Sequence, residues 1–179
     1  HPASSPRAAN ILMTGASASG IKFTAKATVS GAVNNQFSMD EYAGDFRIAT
    51  TVSDEKSNDI NKLYVFDSSL KKLGEIEGFA KGESIQAVRF SGNTAYVITY
   101  ENTDPLFVID LSNPQKPKIK GSVKISGFST NLIPISSNQL LGIGYADDNT
   151  NPYTDGIKFA LFDVSNPQKP TVLDSKVIH

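Results

Sequence analysis

The sequence predicts an all-β fold, a β-propeller with three four-stranded blades and one or two extra strands at its N-terminal end. Two observations carry this prediction. The octapeptide DLSNPQKP at 110–117 returns as DVSNPQKP at 163–170, so the chain is a repeat protein. Short β-type runs and tight turns also follow one another in the same order in three successive segments, with four runs in each segment.

Regularly spaced glycines give the length of the repeat. Gly31, Gly78 and Gly127 each close a segment and lie 47 and 49 residues apart, and the turn residues Gly44 and Gly92 lie 48 apart. A period near 48 falls between those of two propeller repeat classes, about 40 to 45 and about 50 residues. The predicted blades are residues 34–79, 80–127 and 128–178.

The N-terminal residues differ in composition from the rest of the chain. Residues 1–20 are rich in Ala, Ser, Pro and Gly apart from a short apolar run at 11–13, which predicts a flexible lead or linker with little structure. From Ile21 the run IKFTAKATV alternates apolar with polar residues, as a half-buried strand does. We therefore assign residues 21–179 to the propeller segment.

Hydrophobicity follows a gradient within each copy. The second and third runs are almost solidly apolar and need cover on both faces, whereas the fourth, such as KIKGSVKI at 118–125, alternates with Lys like an exposed edge. Blades stacked around an axis account for this gradient. A parallel β-helix and an immunoglobulin-type sandwich are the alternatives, but the first has a shorter repeat and the second does not repeat its own sequence.

Several long motifs resemble one family. They are NQFSMDEY, FRIATT, SIQAVRF, DPLFVIDLSNPQKP, GFSTNLIPI, LLGIGY and FALFDVSNPQKP, and together they span about 21–178. The chain resembles the bacterial and archaeal secreted proteins with a C-terminal β-propeller domain. The resemblance implies a propeller that is exported or displayed at the cell surface. The activity of that family is uncharacterised, so the resemblance implies no catalytic residue, and its members carry more propeller sequence upstream.

Charge and composition argue against several function classes. The 17 Lys and Arg residues balance 18 Asp and Glu residues without a basic cluster, which argues against a nucleic-acid or anionic-membrane partner. Cysteine is absent, the two histidines are His1 and His179, and no phosphate-binding glycine motif occurs. We expect no cofactor and no membrane-spanning segment. The opening His1-Pro2, without Met or a signal segment, indicates a processed or excised piece.

Five residues are candidates for a binding surface. Asp40 and Glu41 end the first predicted strand of copy 1, and paired carboxylates are what a glycoside hydrolase uses. Neighbouring residues on a strand point to opposite faces, however, which favours one turn-capping and one solvated carboxylate. Asp104 is the other acid placed near a corresponding loop. Tyr42 and Tyr145 complete the set, and none of the five is expected to be catalytic.

The repeated D-[LV]-S-N-P segment is predicted to be a structural turn. Asp and Ser side chains accept hydrogen bonds from nearby backbone amides, and Pro fixes φ, so the segment joins the third and fourth strands tightly. Residues 67–69 of copy 1, Asp-Ser-Ser, do the same without the prolines. The aspartate is therefore the essential part of the turn.

The long loop of the third copy carries a weak metal-site pattern. Asp147, Asn149 and Asn151 fall at alternate positions, as in the first half of a calcium loop, and Asp155 is a further acid beside them. Position 152 is Pro where the sharp-turn Gly belongs, and position 158 is Lys where the bidentate Glu belongs. The pattern favours a polar surface loop over a calcium site.

These observations predict a non-enzymatic extracellular binding or scaffold module whose loops bind a protein or glycan. The alternative is a carbohydrate-active enzyme with Asp40 or Glu41 in the propeller channel. Three blades are too few to form a closed ring, because propellers have about four to eight blades. We therefore expect the end faces to be buried against a second copy or against the remainder of a larger propeller, and we prefer self-association.

Overall fold

The computed structural model describes residues 8–53, 58–100, 104–125, 127–146 and 156–179. These residues form fourteen strands in four antiparallel sheets and a single turn of 3₁₀ helix at Gln36–Ser38. Three sheets have four strands and one has two. The architecture confirms the prediction of three four-stranded blades with one or two extra N-terminal strands, and the structure contains two such strands.

The strands follow one another in chain order. The two-stranded sheet, called the half-blade here, contains β1 (Ala8–Ser17) and β2 (Gly20–Ser30). Blade 1 contains β3 (Met39–Tyr42), β4 (Asp45–Ser53), β5 (Asp59–Phe66) and β6 (Lys72–Phe79). Blade 2 contains β7 (Ser84–Ser91), β8 (Thr94–Tyr100), β9 (Asp104–Asp110) and β10 (Lys118–Ile125). Blade 3 contains β11 (Phe128–Pro134), β12 (Gln139–Tyr145), β13 (Ile157–Asp163) and β14 (Thr171–Ile178).

The hydrophobic core lies between successive sheets. Five consecutive residues of β8, 95–99, are buried, so both faces of that strand are covered, as its solidly apolar sequence predicts. Buried apolar residues group into three clusters, one at each contact between neighbouring sheets. The half-blade and blade 1 share Ile11, Val29, Ile48 and Phe66; blades 1 and 2 share Leu63, Val65, Val97 and Ile109; blades 2 and 3 share Ile98, Val108, Leu140 and Phe162.

The expectation of a flexible lead at residues 1–20 is wrong for its second half. Residues 8–17 form β1, which pairs with β2 along its whole length. Ile11 is only 9% exposed, and Ala9 and Met13 pack on the same cluster beside blade 1. The small Ala, Ser and Gly side chains of this segment allow a close contact between the two sheets, although the same composition is typical of linkers. Packing against blade 1 therefore determines that the segment is a strand. Residues 1–7 lie outside the described part of the chain.

A β-bulge at one shared position relates the half-blade to the complete blades. The pairing of the third and fourth strands shifts at Leu73 in blade 1, at Lys120 in blade 2 and at Leu173 in blade 3. The pairing of β1 with β2 shifts in the same way at Thr24. Strands β1 and β2 therefore correspond to the third and fourth strands of a blade.

The repeated SNPQKP turn forms part of the contact between blades. A Cβ placed on Gly121 in β10 would lie 2.5 Å from the carbonyl oxygen of Gln168 in the turn of blade 3. In the preceding pair of blades, a Cβ on Gly74 in β6 would overlap the Pro114 carbonyl oxygen and lie 2.8 Å from Cδ of Pro117. Each turn thus enters a notch that only glycine leaves open on the outer strand of the previous blade.

Candidate functional site

The five candidate residues lie at opposite ends of the blades. Asp40, Glu41 and Tyr42 close β3 beside the tight turn to β4, at the end that also carries the turns between third and fourth strands. Tyr145 is the last residue of β12 and Asp104 the first of β9, so both lie at the opposite end, which carries the longer loops. The fold therefore does not bring the five together into one site.

Asp40 is held in an ion pair with the buried Arg47. The two residues lie directly opposite one another on β3 and β4. Arg47 donates from Nε to Oδ1 and from Nη2 to Oδ2 of Asp40, both at 2.6 Å, and from Nη1 to the Gly92 carbonyl oxygen of blade 2 at 2.7 Å. Arg47 is 2% exposed. This bidentate pair thus fixes blade 1 on blade 2, which is a structural role for Asp40.

Two aromatic rings flank the same guanidinium group. Cζ of Arg47 lies 5.2 Å from the ring centroid of Tyr42 and 5.2 Å from that of Phe90 in blade 2. Both distances are within the range of a cation–π contact. Tyr42 nevertheless remains 44% exposed, so its ring is held in place and still presents surface to solvent. A rigid exposed aromatic ring is a common anchor of binding sites.

Glu41 and Tyr42 line a groove between the half-blade and blade 1, which we call the candidate groove. Glu41 is exposed and does not join the Asp40 ion pair, in keeping with the predicted alternation of the two carboxylates. The groove has a volume of about 560 Å³. Its other lining residues are Met13, Thr14, Gly15, Thr24, Ala43, Gly44 and Ser68. Four of the lining residues belong to the half-blade, and three of these, Met13, Thr14 and Gly15, lie in the segment that we predicted to be a flexible lead or linker.

The aspartate turns have the predicted hydrogen bonds. Oδ1 of Asp67, Asp110 and Asp163 each accepts from the backbone amide two residues later, at 2.8 to 2.9 Å. The Ser112 hydroxyl donates a second bond to Asp110 at 2.6 Å. The Ser112 hydroxyl and amide lower the pKa of Asp110, and the Ser165 amide and hydroxyl lower the pKa of Asp163.

We expect the free energy of unfolding to decrease less steeply with falling pH in Asp110→Asn than in the original chain. The folded pKa of Asp110 lies below its unfolded value, so its contribution is complete above about pH 4 and is lost as pH falls through the folded pKa. Asn keeps an acceptor for the turn but does not titrate. Urea unfolding between about pH 6 and pH 3 measures the effect. An unchanged slope, or an equal change in an Asp45→Asn control outside these turns, would contradict it.

A buried amide at the loop end was not predicted from the sequence. Asn61 in β5 is 0% exposed. Its Nδ2 donates to the carbonyl oxygens of Phe79, Ala80 and Glu83 at 3.3, 3.2 and 2.8 Å, and its Oδ1 accepts from the Thr51 hydroxyl at 2.8 Å. Asn61 therefore anchors the connection from blade 1 to blade 2. The polar pair Asn61-Lys62 between Ile60 and the apolar run LYVF was the available signal.

The possible calcium loop, Asp147, Asn149, Asn151 and Asp155, lies outside the described residues. Among the residues that the structure does describe, no group of three or more Asp, Glu or His side chains is placed to hold a metal ion. Within the same residues, no helix is long and apolar enough to cross a membrane.

Comparison with known proteins defines the class to which the chain belongs. The model of the β-propeller domain family matches residues 2–179, and the chain belongs to that family. An uncharacterised protein of Methanocaldococcus jannaschii is 47% identical over 148 residues, which cover 82% of this chain and 23% of that protein. An uncharacterised protein of Archaeoglobus fulgidus is 45% identical over 143 residues, which cover 80% of this chain and 21% of that protein. The chain thus spans less than a quarter of the length of these relatives.

Solved structures support the propeller fold. A subtype N10 neuraminidase-like protein of A/little yellow-shouldered bat/Guatemala/060/2010 superimposes with a TM-score of 0.52 over 97% of this chain and 62% of that one. Sequence identity is 10%, so this likeness concerns the fold alone.

Proposed function

We propose that the chain is a non-enzymatic binding module of a β-propeller protein and that it binds a glycan or protein in the candidate groove. The proposal rests on two features at the same end of β3: the exposed Glu41 carboxylate, which lines a groove of about 560 Å³, and the exposed Tyr42 ring, which is fixed over Arg47 on the opposite face of the strand, next to blade 2. Ligand sites are concave and place a few polar groups around an apolar contact surface. An exposed aromatic ring and an exposed carboxylate at one end of the same strand favour a glycan, whose rings carry apolar C–H faces and many hydroxyl donors.

The rigidity of the surroundings supports the same function. The Tyr42 ring is flanked by an arginine whose five donors include three with bound partners in blades 1 and 2. The tight turn after Tyr42 contains Ala43 and Gly44, both with positive φ. A preorganised site loses little side-chain entropy when a ligand binds.

The alternative of a carbohydrate-active enzyme has weaker support. A glycoside hydrolase needs two carboxyl groups about 5 to 10 Å apart that face one cleft. Both oxygens of Asp40 accept hydrogen bonds from Arg47, and Glu41 is the acid that lines the groove. We propose on this basis that Asp40 stabilises the fold and does not act in turnover.

We also propose an extracellular or cell-surface location, which rests on the motif resemblance to secreted propeller proteins. Fractionation of cells that express a full-length relative tests this proposal. Recovery in the cytosolic fraction alone would contradict it.

Binding measurements with paired tyrosine variants test the function. Oligosaccharides selected on a glycan array are titrated against the chain by calorimetry. We expect Tyr42→Ala to weaken binding about tenfold or more, because stacking on an aromatic ring contributes on the order of 1 to 3 kcal/mol. Glu41→Gln should weaken it less, because the amide retains one acceptor.

Tyr145→Ala is the matched control, since Tyr145 lies at the loop end of blade 3. It should leave the affinity unchanged. If Tyr145→Ala weakened binding and Tyr42→Ala did not, the binding surface would lie at the loop end of the blades and the proposal would be wrong. Turnover of a glycoside that Asp40→Asn abolishes would refute the non-enzymatic function.

A further inference from the structure

The outer face of blade 3 is an apolar surface that no other described sheet covers. Leu141 and Ile143 of β12 and Phe159 and Leu161 of β13 lie on it, and each side chain remains partly exposed. A cavity of about 450 Å³ follows this face. We call it the open face.

The corresponding positions of blade 2 form a complete interface. The strand registers relate Leu141 to Tyr96, Ile143 to Ile98, Phe159 to Leu106 and Leu161 to Val108. In blade 2 these four side chains are at most 7% exposed, because blade 3 packs on them. The open face therefore has the apolar content of a sheet-to-sheet contact.

The open face lacks the arginines that fix one blade on the next. Arg47 of blade 1 donates to a carbonyl oxygen of blade 2, and Arg89 of blade 2 donates from Nε to the Leu132 carbonyl oxygen of blade 3 at 2.8 Å. Leu141 and Ile133 occupy the corresponding positions of blade 3. Neither side chain can donate a hydrogen bond to a following blade.

The glycine notch is also missing. Asp174 directly follows the bulge of β14, where β6 has Gly74 and β10 has Gly121. A Cβ at those glycines already overlaps the incoming turn, so an aspartate obstructs a further SNPQKP turn more strongly. The open face thus keeps the apolar part of an internal interface without the features that receive another blade of this kind.

Apart from Ile133 and Asn131 on β11, the residues of the open face are arranged symmetrically about one row across the sheet. Leu132, Gly142, Ala160 and Ser175 are successive cross-strand neighbours and form this row. On either side of it lie Leu141 and Ile143 on β12, Leu161 and Phe159 on β13, and Asp174 and Lys176 on β14. The pairs on β12 and β13 are similar in character, and the pair on β14 is opposite in charge.

A twofold axis along this row would place each strand over its own copy, running in the opposite direction. Leu141 would then meet Ile143 of a second copy, Leu161 would meet Phe159, and Asp174 would meet Lys176. The ion pair would form twice. An isologous contact requires this self-complementarity.

We propose that the open face is the interface of a homodimer, with a second copy of the same chain as its occupant. The contact combines an apolar centre with two symmetric Asp174–Lys176 pairs at its edge, which is the usual arrangement of a protein interface. This surface is separate from the candidate groove, so the inference does not depend on the proposed ligand.

Sedimentation equilibrium of the 179-residue chain between about 1 and about 100 µM tests the proposal, since that range covers a micromolar dimer. We expect the mass to rise from 19.2 kDa towards twice that value. Leu161→Asp should keep the chain monomeric. Leu12→Asp, on the exposed face of the half-blade, is the matched control and should leave the dimer intact.

Charge reversal tests the twofold arrangement through two residues that are exposed on β14. Asp174→Lys and Lys176→Asp should each weaken dimerisation about tenfold, because like charges then face each other twice. The double variant should recover to within about threefold of the original affinity.

A monomer at every concentration would overturn the proposal. A series of trimers and larger oligomers would overturn it as well, because such a series indicates a head-to-tail contact. So would a double reversal that binds no better than the single reversals.

Discussion

Replacement of Arg47 by Met is expected to lower the free energy of unfolding by about 3 kcal/mol. Removal of one partner from a largely buried ion pair costs about 3 to 5 kcal/mol, and the lower value applies because the Asp40 side chain is 30% exposed. The variant leaves the Asp40 carboxylate and the Gly92 carbonyl oxygen without their donors. Urea unfolding monitored by circular dichroism measures the loss.

Two further variants separate the ion pair from the general effect of removing a cation. Lys62→Met removes the cation of the more exposed Lys62–Glu77 pair and should change stability by about 1 kcal/mol or less. Asp40→Asn combined with Arg47→Met should be more stable than Arg47→Met alone, because an unpaired amide costs less to bury than an unpaired carboxylate. Equal losses for Arg47→Met and Lys62→Met would contradict the role of Arg47 at the blade contact.

Gly121→Ala is expected to lower the free energy of unfolding by about 2 to 3 kcal/mol, which is typical of overpacking in a tight contact. The added methyl group would lie 2.5 Å from the Gln168 carbonyl oxygen and 2.7 Å from that of Pro167. Backbone atoms cannot rotate away as a side chain does, so blades 2 and 3 must separate slightly.

Gly15→Ala is the matched control, since a Cβ at Gly15 would meet Thr24 Cγ2 at an ordinary distance of 3.6 Å. Its stability should be unchanged or slightly higher, because Ala restricts the unfolded chain. If Gly121→Ala changed the free energy of unfolding as little as Gly15→Ala does, the SNPQKP turn would not be packed tightly against Gly121.

Most strand positions could be predicted because their local pattern and their burial agree. The run TAYVITY predicts β8 with the bounds that the structure shows, because a short apolar run between turn residues is typical of a strand that is buried on both faces. Most of strand β1 was assigned to a flexible lead because Ala, Ser and Gly are typical of linkers, and its burial depends on blade 1, which is distant in sequence.

The candidate site was predictable only in part. The tight turn at Ala43 and Gly44 fixes the hairpin register, so the pairing of Asp40 with Arg47 was within reach of the sequence. The contact of Arg47 with Gly92 was not, because it joins two blades and has no local signature. The glycine notches were hidden for the same reason, although Gly74 and Gly121 recur 47 residues apart.

Native-state hydrogen exchange on the two notch variants tests most directly whether these turns hold the stacked blades together. Each blade contacts only its neighbours in the stack. A substitution at one contact should therefore destabilise mainly the two blades that share it, as in other repeat proteins. We predict that Gly74→Ala lowers protection mainly in β5 and β9, and that Gly121→Ala lowers it mainly in β9 and β13. Equal loss throughout the chain in both variants, or no loss in either, would contradict the account.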